Sequence, residues 1–428
     1  MSVFSGQRYA VLGLGRAGLP AAQRLRELGA EVFVWDDNAA SREAAAGFAV
    51  CPPSGVPGRL DGLVLSPGIP HRLPKPHPEA AWALAHGVPV LTDAELLYRA
   101  VRGSGSKARF AGITGTNGKS TTTALLAHIL NVAGVPNAAG ANLGPAALSL
   151  PILPDAGVYV LEMSSYMLER IVTLRFDAAV MLNLSPDHLD RHGDMEGYAA
   201  AKRTIFARQD ARCTAVIGVD DEPSRVMAAW LDTQPATVVR ISGRGQETGA
   251  KALAGEHNAQ NALAAAALAR ALGVGEAAIA EGIASFPGLA HRAQEVAAGH
   301  GVRFINDSKA TNADAASRAM ACHERFVWIA GGVAKAGGIE DLEPLYSRIE
   351  AAYLIGQDGE AFAARLRQAG VAAEYVGTLE AAVPRAFAAA RQGAGVVLFS
   401  PAAASFDQFP NFEVRGDVFA RLAREEVA

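Results

Sequence analysis

The sequence has few cysteines, no long apolar run and no leader segment. Its 428 residues include three cysteines, which lie far apart and form no CxxC pair. Widely separated cysteines argue against a zinc site and against a disulfide framework, so a reducing cytoplasm is the expected compartment. No stretch approaches the roughly 18 apolar residues that cross a membrane. No charged-then-apolar segment precedes the first strand-like run, so we expect no membrane partner.

The sequence also lacks an excess of either charge. It carries 39 basic and 43 acidic residues, a formal net charge of −4, and no long block of one sign. A chain of this kind has no electrostatic footprint for nucleic acid or an anionic membrane surface. Half of the residues are apolar and 19% are charged, as in soluble globular proteins. Small molecules are therefore the expected ligands.

Apolar strand-like runs alternate with alanine-rich helical stretches from end to end, which predicts an α/β fold with parallel sheets. The length suggests about three domains. A Gly/Ser-rich stretch at 102–107 interrupts the apolar pattern and has the composition of a linker. We therefore predict domains at 1–104, 105–290 and 291–428, the second boundary being placed where helical patterns give way to strands.

Residues 112–123, Gly-Ile-Thr-Gly-Thr-Asn-Gly-Lys-Ser-Thr-Thr-Thr, place a glycine-rich turn between an apolar strand and a helix. Glycines let backbone N–H groups converge on phosphate oxygens, and the helix presents its positive end. Lys119 adds a cation and Ser120 a hydroxyl for Mg²⁺. The usual spacing would require glycine where Ile113 stands, so the turn carries an extra bend. We predict a cradle for ATP or GTP.

A second glycine pattern lies near the N-terminus. Gly13, Gly15 and Gly18 follow the strand-like run 9–14, and Asp36 ends the next strand, 31–35. This is the dinucleotide fingerprint of a Rossmann-like domain, although a structural turn remains open. Taken alone, this fingerprint would predict a binding site for NAD. Together with the second cradle it favours an enzyme that joins a nucleotide-carried substrate in a reaction driven by ATP.

Polar residues follow several other predicted strands. Glu162 ends one and is expected to hold Mg²⁺ beside Ser120; a solvent-facing glutamate is the alternative. His188 and His192 are four residues apart, but flanking aspartates favour a hard-cation site over zinc. Asn258 is expected to cap a helix running to Leu272.

Strand-like runs resume in the third segment at 302–305, 326–330, 352–355 and 396–399, with helices between them. Clusters of polar residues directly follow two of these strand-like runs, at 306–312 and 400–412. Strand-end clusters of this kind are typical of ligand sites, and an ordinary loop is the alternative for the later one.

The combination of these tracts resembles the Mur ligases of bacterial peptidoglycan synthesis. The tracts that carry the resemblance occur in the same order along nearly the whole chain: 112–121, 161–169, 187–192, Lys202, 255–261, 291–292, 306–312 and 400–412. The tracts Asn-Asp-Ser-Lys-Ala-Thr-Asn and Ala-Ser-Phe-Asp-Gln-Phe are similar to those of the glutamate-adding members.

The resemblance implies a Rossmann-like domain for the UDP-sugar, a central P-loop-type ATPase domain and a Rossmann-like C-terminal domain for glutamate. It implies an ATP-dependent ligase that adds D-glutamate to UDP-N-acetylmuramoyl-L-alanine through an acyl phosphate. Two Mg²⁺ ions and a monomeric protein are expected. Addition of L-glutamate or another amino acid, as in folylpolyglutamate synthase-like enzymes, remains an alternative. An NAD-dependent oxidoreductase and a nonenzymatic UDP-sugar-binding protein are the more remote ones.

The resemblance also assigns residues. The catalytic residues would be Lys119, His188, Lys202 and Lys309. The ATP-binding residues would be Gly115, Thr116, Asn117, Gly118, Lys119, Ser120, Thr121, Asn261, Arg292 and Asp307. The UDP-sugar would contact Gly15, Arg16, Ala17, Asp36, Ser66, Pro67, Gly68, Asn142 and Ser164. Glutamate would contact Thr311, Lys335, Ser405, Phe406 and Phe412. The metal ligands would be Ser120, Glu162, His188 and Lys202, the last as a carbamate.

Overall fold

The computed structural model describes residues 3–335 and 337–428 and forms two compact units. The first comprises the chain up to Ala250 together with Glu256–Phe286, and the second comprises Lys251–Gly255 and Pro287–Ala428. The first unit contains two sheets and the second contains one. The α/β prediction is confirmed. None of the helices in the described ranges has the length and apolar character needed to cross a membrane.

The N-terminal sheet is parallel and has the strand order β3-β2-β1-β4-β5. Its strands are β1 (Arg8–Leu12), β2 (Glu31–Trp35), β3 (Ala49–Val50), β4 (Gly62–Leu65) and β5 (Val90–Leu91). Its helices are α1 (Gly18–Glu27), α2 (Ala39–Ala44), α3 (Pro78–Ala85) and α4 (Asp93–Gly103). The first strand ends two residues earlier than the sequence predicts, because Gly13 turns the chain with φ +89°.

The middle sheet is also parallel and has the order β11-β10-β9-β6-β8-β7. Its strands are β6 (Arg109–Thr114), β7 (Asn137–Ala141), β8 (Val158–Glu162), β9 (Ala178–Met181), β10 (Thr214–Gly218) and β11 (Thr237–Ile241). Its helices are α5 (Lys119–Val132), α6 (Ser165–Leu168), α7 (Leu189–His192), α8 (Met195–Arg203), α9 (Glu222–Leu231), α10 (Glu256–Ala271) and α11 (Glu276–Ala284). The strand order reverses at β6, and such a switch point opens a crevice at the carboxyl ends of the strands.

The first two sheets share one hydrophobic core, which explains why they form a single compact unit. Buried residues of both sheets and of α4 belong to the same cluster. The ring of Tyr98 on α4, for example, lies edge-on to Phe110 on β6 with 5.2 Å between centroids. The predicted boundary between residues 104 and 105 separates the two sheets in sequence, but whether each part is an independent domain stays a prediction.

The second unit contains a mixed sheet of order β12-β13-β17-β14-β15-β16, in which only the β12–β13 pair is antiparallel. Its strands are β12 (Gln294–Gly299), β13 (Val302–Asn306), β14 (Phe326–Gly331), β15 (Ile349–Ile355), β16 (Ala373–Gly377) and β17 (Val396–Phe399). Its helices are α12 (Ala313–Ala321), α13 (Gly359–Gln368), α14 (Leu379–Ala390) and α15 (Phe412–Val427).

The sequence predictions for this sheet missed its two edge strands, β12 and β16. Edge strands are half-exposed here and lack the continuous apolar run of the buried strands. All six residues of the central strand β14 are buried, which is why it was predicted from composition alone.

Short polar side chains begin many of the helices. Among the described residues, eight helices have an N-cap side chain that accepts a backbone N–H of the first turn. Seven of these caps are Asn, Asp, Ser or Thr, as expected at this position, and the eighth is His77 before α3: Asn38, Ser164, Asp194, Asp221, Asn312, Thr378, Asn411 and His77. The predicted cap at Asn258 is wrong. The chain turns at Gly255 with φ +87°, so α10 begins at Glu256 and Asn258 lies in its first turn.

Candidate active site

The turn between β6 and α5, residues 115–118, has the geometry of a phosphate-binding loop. Gly118 lies directly before α5 with φ +85°, and a Cβ there would overlap the carboxamide oxygen of Asn261. Gly115 has φ +150°, with Leu182 as its nearest neighbour. Glycine is therefore required at Gly118 by both backbone conformation and space. The predicted nucleotide residue Asn261 lies beside the loop.

Two predicted catalytic lysines meet at this loop. The Lys119 Nζ donates to the carbonyls of Gly115 at 2.9 Å and Thr116 at 2.8 Å. The Lys202 Nζ donates to the same Gly115 carbonyl at 2.8 Å and lies 3.4 Å from the Thr114 hydroxyl. Lys202 is only 1% exposed. Burial, and then the charge of Lys119, hold the pKa of Lys202 well below its usual value.

Glu162 lies at the end of β8, opposite Ile113 of the phosphate-loop strand. Asn142 donates its side-chain amide to Glu162 Oε1 at 2.6 Å and its backbone N–H to the Glu162 carbonyl at 3.0 Å. Glu162 Oε2 is buried and has no hydrogen-bond partner. A buried carboxylate oxygen without a partner is unfavourable unless a cation or water completes it. The buried carboxylate oxygen of Glu162 is therefore suited to bind a hard cation such as Mg²⁺.

The segment after β9 is bonded to the phosphate loop. Asn183 exchanges two hydrogen bonds with the backbone of Asn117, at 2.9 and 3.1 Å. The Thr116 hydroxyl donates to the carbonyl of Ser185 at 3.2 Å and lies 3.3 Å from the Tyr198 hydroxyl. Our sequence analysis assigned no role to Asn183, although its place at a strand end was a usable signal.

His188 lies on the same segment, in the left-handed conformation with φ +54°. Its ring is half-exposed, 3.4 Å from the Asp187 carboxylate and 5.0 Å from the Tyr166 ring. A strained backbone at a candidate metal ligand is typical of functional sites. Within the described residues, no three His, Cys, Asp or Glu side chains converge as a metal site. Mg²⁺ needs no such cage, since phosphate oxygens and water complete its coordination.

Seven of the nine predicted UDP-sugar residues lie at the carboxyl end of the N-terminal sheet, whereas Asn142 and Ser164 follow strands β7 and β8 of the middle sheet. Asp36 accepts the backbone N–H of Leu14 at 2.7 Å and that of Asn38 at 2.9 Å, so it shapes the turn after β1. Ala17 directly precedes α1. A Cβ on Gly15 would meet no atom within 4 Å, which leaves open space above the turn. Ser66, Pro67 and Gly68 form the loop after β4, and Arg16 is exposed in the turn after β1.

The second unit brings together another group of predicted residues. Asp307 is buried, accepts the Ser400 hydroxyl at 2.7 Å and the Ala293 N–H at 3.2 Å, and burial raises its pKa to about 7. The Lys309 ammonium lies 4.1 Å from the centre of the Phe412 ring. The segments that carry Lys335 and Ser405 are adjacent, because Val333 and Ala404 pair in an antiparallel bridge. Phe406, by contrast, is 76% exposed.

These features define a class of protein: an α/β enzyme with a phosphate-binding loop beside a buried carboxylate. Two family models match the chain, the Mur ligase middle domain over residues 113–252 and the Mur ligase glutamate ligase domain over residues 291–402.

Curated relatives match over nearly the full length. A UDP-N-acetylmuramoylalanine–D-glutamate ligase of Paramagnetospirillum magneticum is 47% identical over 99% of this chain and 97% of its own length. The enzymes of the same name from Caulobacter vibrioides and Rhodospirillum rubrum are 47% and 46% identical, each over 95% of its own length. The chain belongs to the Mur ligase family.

Solved structures show the same fold. The UDP-N-acetylmuramate–alanine ligase of Thermotoga maritima aligns over 97% of this chain and 98% of its own, with a TM-score of 0.59 at 18% identity. A MurF structure from Acinetobacter baumannii covers 78% of this chain and 81% of its own, with a TM-score of 0.58 at 20% identity.

Proposed function

We propose that the protein is an ATP-dependent ligase that adds D-glutamate to UDP-N-acetylmuramoyl-L-alanine, forming ADP and phosphate, in the synthesis of peptidoglycan precursors. The observation that carries the proposal is the near-full-length similarity, at 47% identity, to ligases of that name. The phosphate-binding loop beside the buried Glu162 supports the ATP-dependent chemistry.

The proposed reaction has two steps. A carboxylate oxygen of the UDP-sugar's alanine attacks the terminal phosphorus of ATP, and the bond from that phosphorus to the ADP oxygen breaks. The amine of glutamate then attacks the carbonyl carbon of the acyl phosphate and loses a proton, and the tetrahedral intermediate expels phosphate. Phosphorylation is needed because a carboxylate oxygen is a poor leaving group. Positioning and charge stabilisation supply most of the catalysis in such transfers.

Residues of the first unit supply the positive and metal-binding groups for the first step. Lys119 and the N–H groups of residues 115–121 would bind the phosphates. Glu162 and Ser120 would hold one Mg²⁺, and His188 with a modified Lys202 would hold a second. A divalent cation held by these residues would neutralise negative charge on the phosphoryl oxygens. Asn142, which orients Glu162, would also contact the substrate.

The buried position of Lys202 supports its carbamylation. A cationic lysine beside Lys119 would repel a metal, whereas a carbamate is a carboxylate-like ligand. The lowered pKa of Lys202 leaves its amine neutral more often. A neutral amine attacks the carbon of CO₂, an N–C bond forms as one C–O π bond opens, and the nitrogen releases a proton. The product carries the negative charge that a hard cation requires.

The second unit would supply the glutamate contacts. Thr311, Lys335, Ser405, Phe406 and Phe412 are proposed for the amino acid, with the Lys335 ammonium facing a carboxylate. Arg292 and Asp307 are proposed for ATP, and Lys309 for the reacting phosphate. The adjacency of the Val333 and Ala404 segments supports the grouping of Lys335 with Ser405. We also propose three domains with boundaries at 104/105 and 290/291, and a cytoplasmic monomer.

Product formation with each enantiomer of glutamate tests the proposal. Purified protein, ATP, Mg²⁺ and UDP-N-acetylmuramoyl-L-alanine are combined with D-glutamate, L-glutamate or neither, and amide product and phosphate are measured. We expect amide product and phosphate only in the reaction that contains D-glutamate. Product with L-glutamate only would favour a related ligase of different specificity. Phosphate release that is independent of any amino acid would contradict a ligase.

A further inference from the structure

Two arginines hold four successive carbonyls of the loop after β4. Arg170, two residues after α6, donates to the carbonyls of Leu65, the last residue of β4, at 2.8 Å, of Ser66 at 3.3 Å and of Pro67 at 3.2 Å. Arg191, on α7, donates to the carbonyl of Gly68 at 3.1 Å. Both arginines come from the middle sheet's loops, whereas the loop belongs to the N-terminal sheet. The predicted UDP-sugar loop is thus fixed from outside its own sheet.

This arrangement fixes the direction of one backbone N–H group. In a trans peptide the C=O and the following N–H point in opposite directions. Arg170 holds the Pro67 carbonyl, and therefore orients the N–H of Gly68 away from itself. Elsewhere in the loop the Ser66 N–H donates to Leu12, the Ile69 N–H donates to Ser66, and proline has none. Within the described chain, the exposed Gly68 N–H has no protein acceptor, so it is available to a ligand.

The same two arginines are themselves held in place. Arg170 is 2% exposed and also donates its Nε to the Tyr166 carbonyl at 2.8 Å. The Arg191 guanidinium lies 4.4 Å from the centre of the Tyr166 ring, and that ring is also 5.0 Å from the ring of His188. A guanidinium over an aromatic face is attracted by the ring quadrupole and is restricted in direction. The loop and the predicted metal ligand are therefore linked through one ring.

We propose that Arg191 is a positioning residue for the UDP-sugar. Arg170 aims the Gly68 N–H at an anionic oxygen of that ligand through the Pro67 carbonyl, and Arg191 holds the Gly68 carbonyl, so that the peptides on both sides of this glycine are fixed. The role rests on the proposed function, because it requires a UDP-sugar at this edge of the sheet. A preorganised donor costs little ordering when the ligand binds, so losing Arg191 lowers affinity without removing any direct contact. Lysine at this position keeps the charge and one donor but loses the planar guanidinium.

The test measures binding without turnover. The dissociation constants of UDP-N-acetylmuramoyl-L-alanine and of ADP are determined by calorimetry for the parent protein, Arg191→Ala and Arg191→Lys. Arg225→Ala is the control, because Arg225 is an exposed arginine that donates to the carbonyl of Val219 at 3.1 Å and pairs with Glu222 on its own helix. We expect Arg191→Ala to weaken UDP-sugar binding about tenfold, or about 1.4 kcal/mol. Arg191→Lys should be intermediate, with ADP binding unchanged.

Each outcome separates this role from the proposed function. If the parent binds the UDP-sugar and Arg191→Ala binds it equally well, the positioning role is wrong and the proposed function stands. If Arg191→Ala loses ADP affinity to the same extent, or melts well below Arg225→Ala, its effect is general and the positioning role is again wrong. If the parent does not bind the UDP-sugar at all, the proposed function itself fails.

Discussion

Lys119 and Lys202 donate to the same carbonyl oxygen, that of Gly115, at 2.9 and 2.8 Å. Two ammonium groups on one acceptor repel each other, and the repulsion is strong where water is excluded. Burial, and then the charge of Lys119, lower the pKa of Lys202, while Lys119 itself is only partly buried. The pair therefore combines a cation that is proposed to bind phosphate with an amine that is neutral more often than an ordinary lysine.

Replacing Lys202 with alanine tests whether that amine becomes a metal ligand. We expect Lys202→Ala to lower ligase activity by at least about a hundredfold, because a metal ligand is lost. A small carboxylate such as formate carries the same metal-binding group as the carbamate and should restore part of the activity. The measurement is the initial rate with and without formate. Lys107→Ala, which removes an exposed lysine, is the control. Equal activity of Lys202→Ala and the parent would refute the carbamate role.

Lys119→Ala should affect the proposed ATP site without affecting the proposed UDP-sugar site. Removing a cation that stabilises charge on the transferred phosphoryl group is expected to lower the rate by about 10²–10³-fold. The loop after β4, which is proposed to bind the UDP-sugar, is held by Arg170 and Arg191 and not by Lys119, so UDP-sugar affinity should stay within about twofold of the parent value. Single-turnover kinetics measure the expected loss of rate, and calorimetry with the UDP-sugar measures the expected unchanged affinity. A variant that ligates at the parent rate would contradict the proposed phosphate contact.

Glu162→Gln keeps the shape of the side chain and removes its charge. The hydrogen bond that Asn142 donates to Oε1 can persist in the variant. The amide nitrogen of glutamine then takes the place of Oε2, which has no hydrogen-bond partner in the parent. We expect the Mg²⁺ concentration for half-maximal activity to rise about tenfold or more. The melting temperature should not fall, since a buried charge is removed. Glu222→Gln on the surface is the control. An unchanged Mg²⁺ requirement would exclude Glu162 as a ligand.

Asp307 makes stability depend on pH. Its pKa is raised from 3.8 to about 7 by burial, so between these values the native state binds more protons than the unfolded state. Stability contributed by this group therefore falls as pH rises from about 4 to about 7, by an amount on the order of a few kcal/mol. Asp307→Asn should remove that dependence and raise the melting temperature more at pH 8 than at pH 4. A variant whose melting temperature differs from the parent's by the same amount at both pH values would contradict the raised pKa.

The sequence predicted the fold class correctly because it depends on local patterns. The strand-end sites depend on the same kind of pattern, and their roles stay predictions. Buried parallel strands such as β6, β8 and β14 appear as apolar runs, and glycine-rich turns have recognisable spacing. The boundaries of α10 and the two edge strands of the third sheet were missed. Their positions depend on a turn at Gly255 and on partner strands, neither of which leaves an apolar pattern.

What the sequence by itself determined was the α/β class, and it supplies the groups on which the proposed chemistry rests: the glycine-rich turn within 112–123, the carboxylate of Glu162 and the amine of Lys202. What only the tertiary structure decided was which of these groups share an atom. That Lys119 and Lys202 meet at one carbonyl, and that two arginines fix a loop more than 100 residues away in sequence, follows from strand order and packing. Such long-range contacts have no local signal, because burial and hydrogen bonding are properties of the assembled chain.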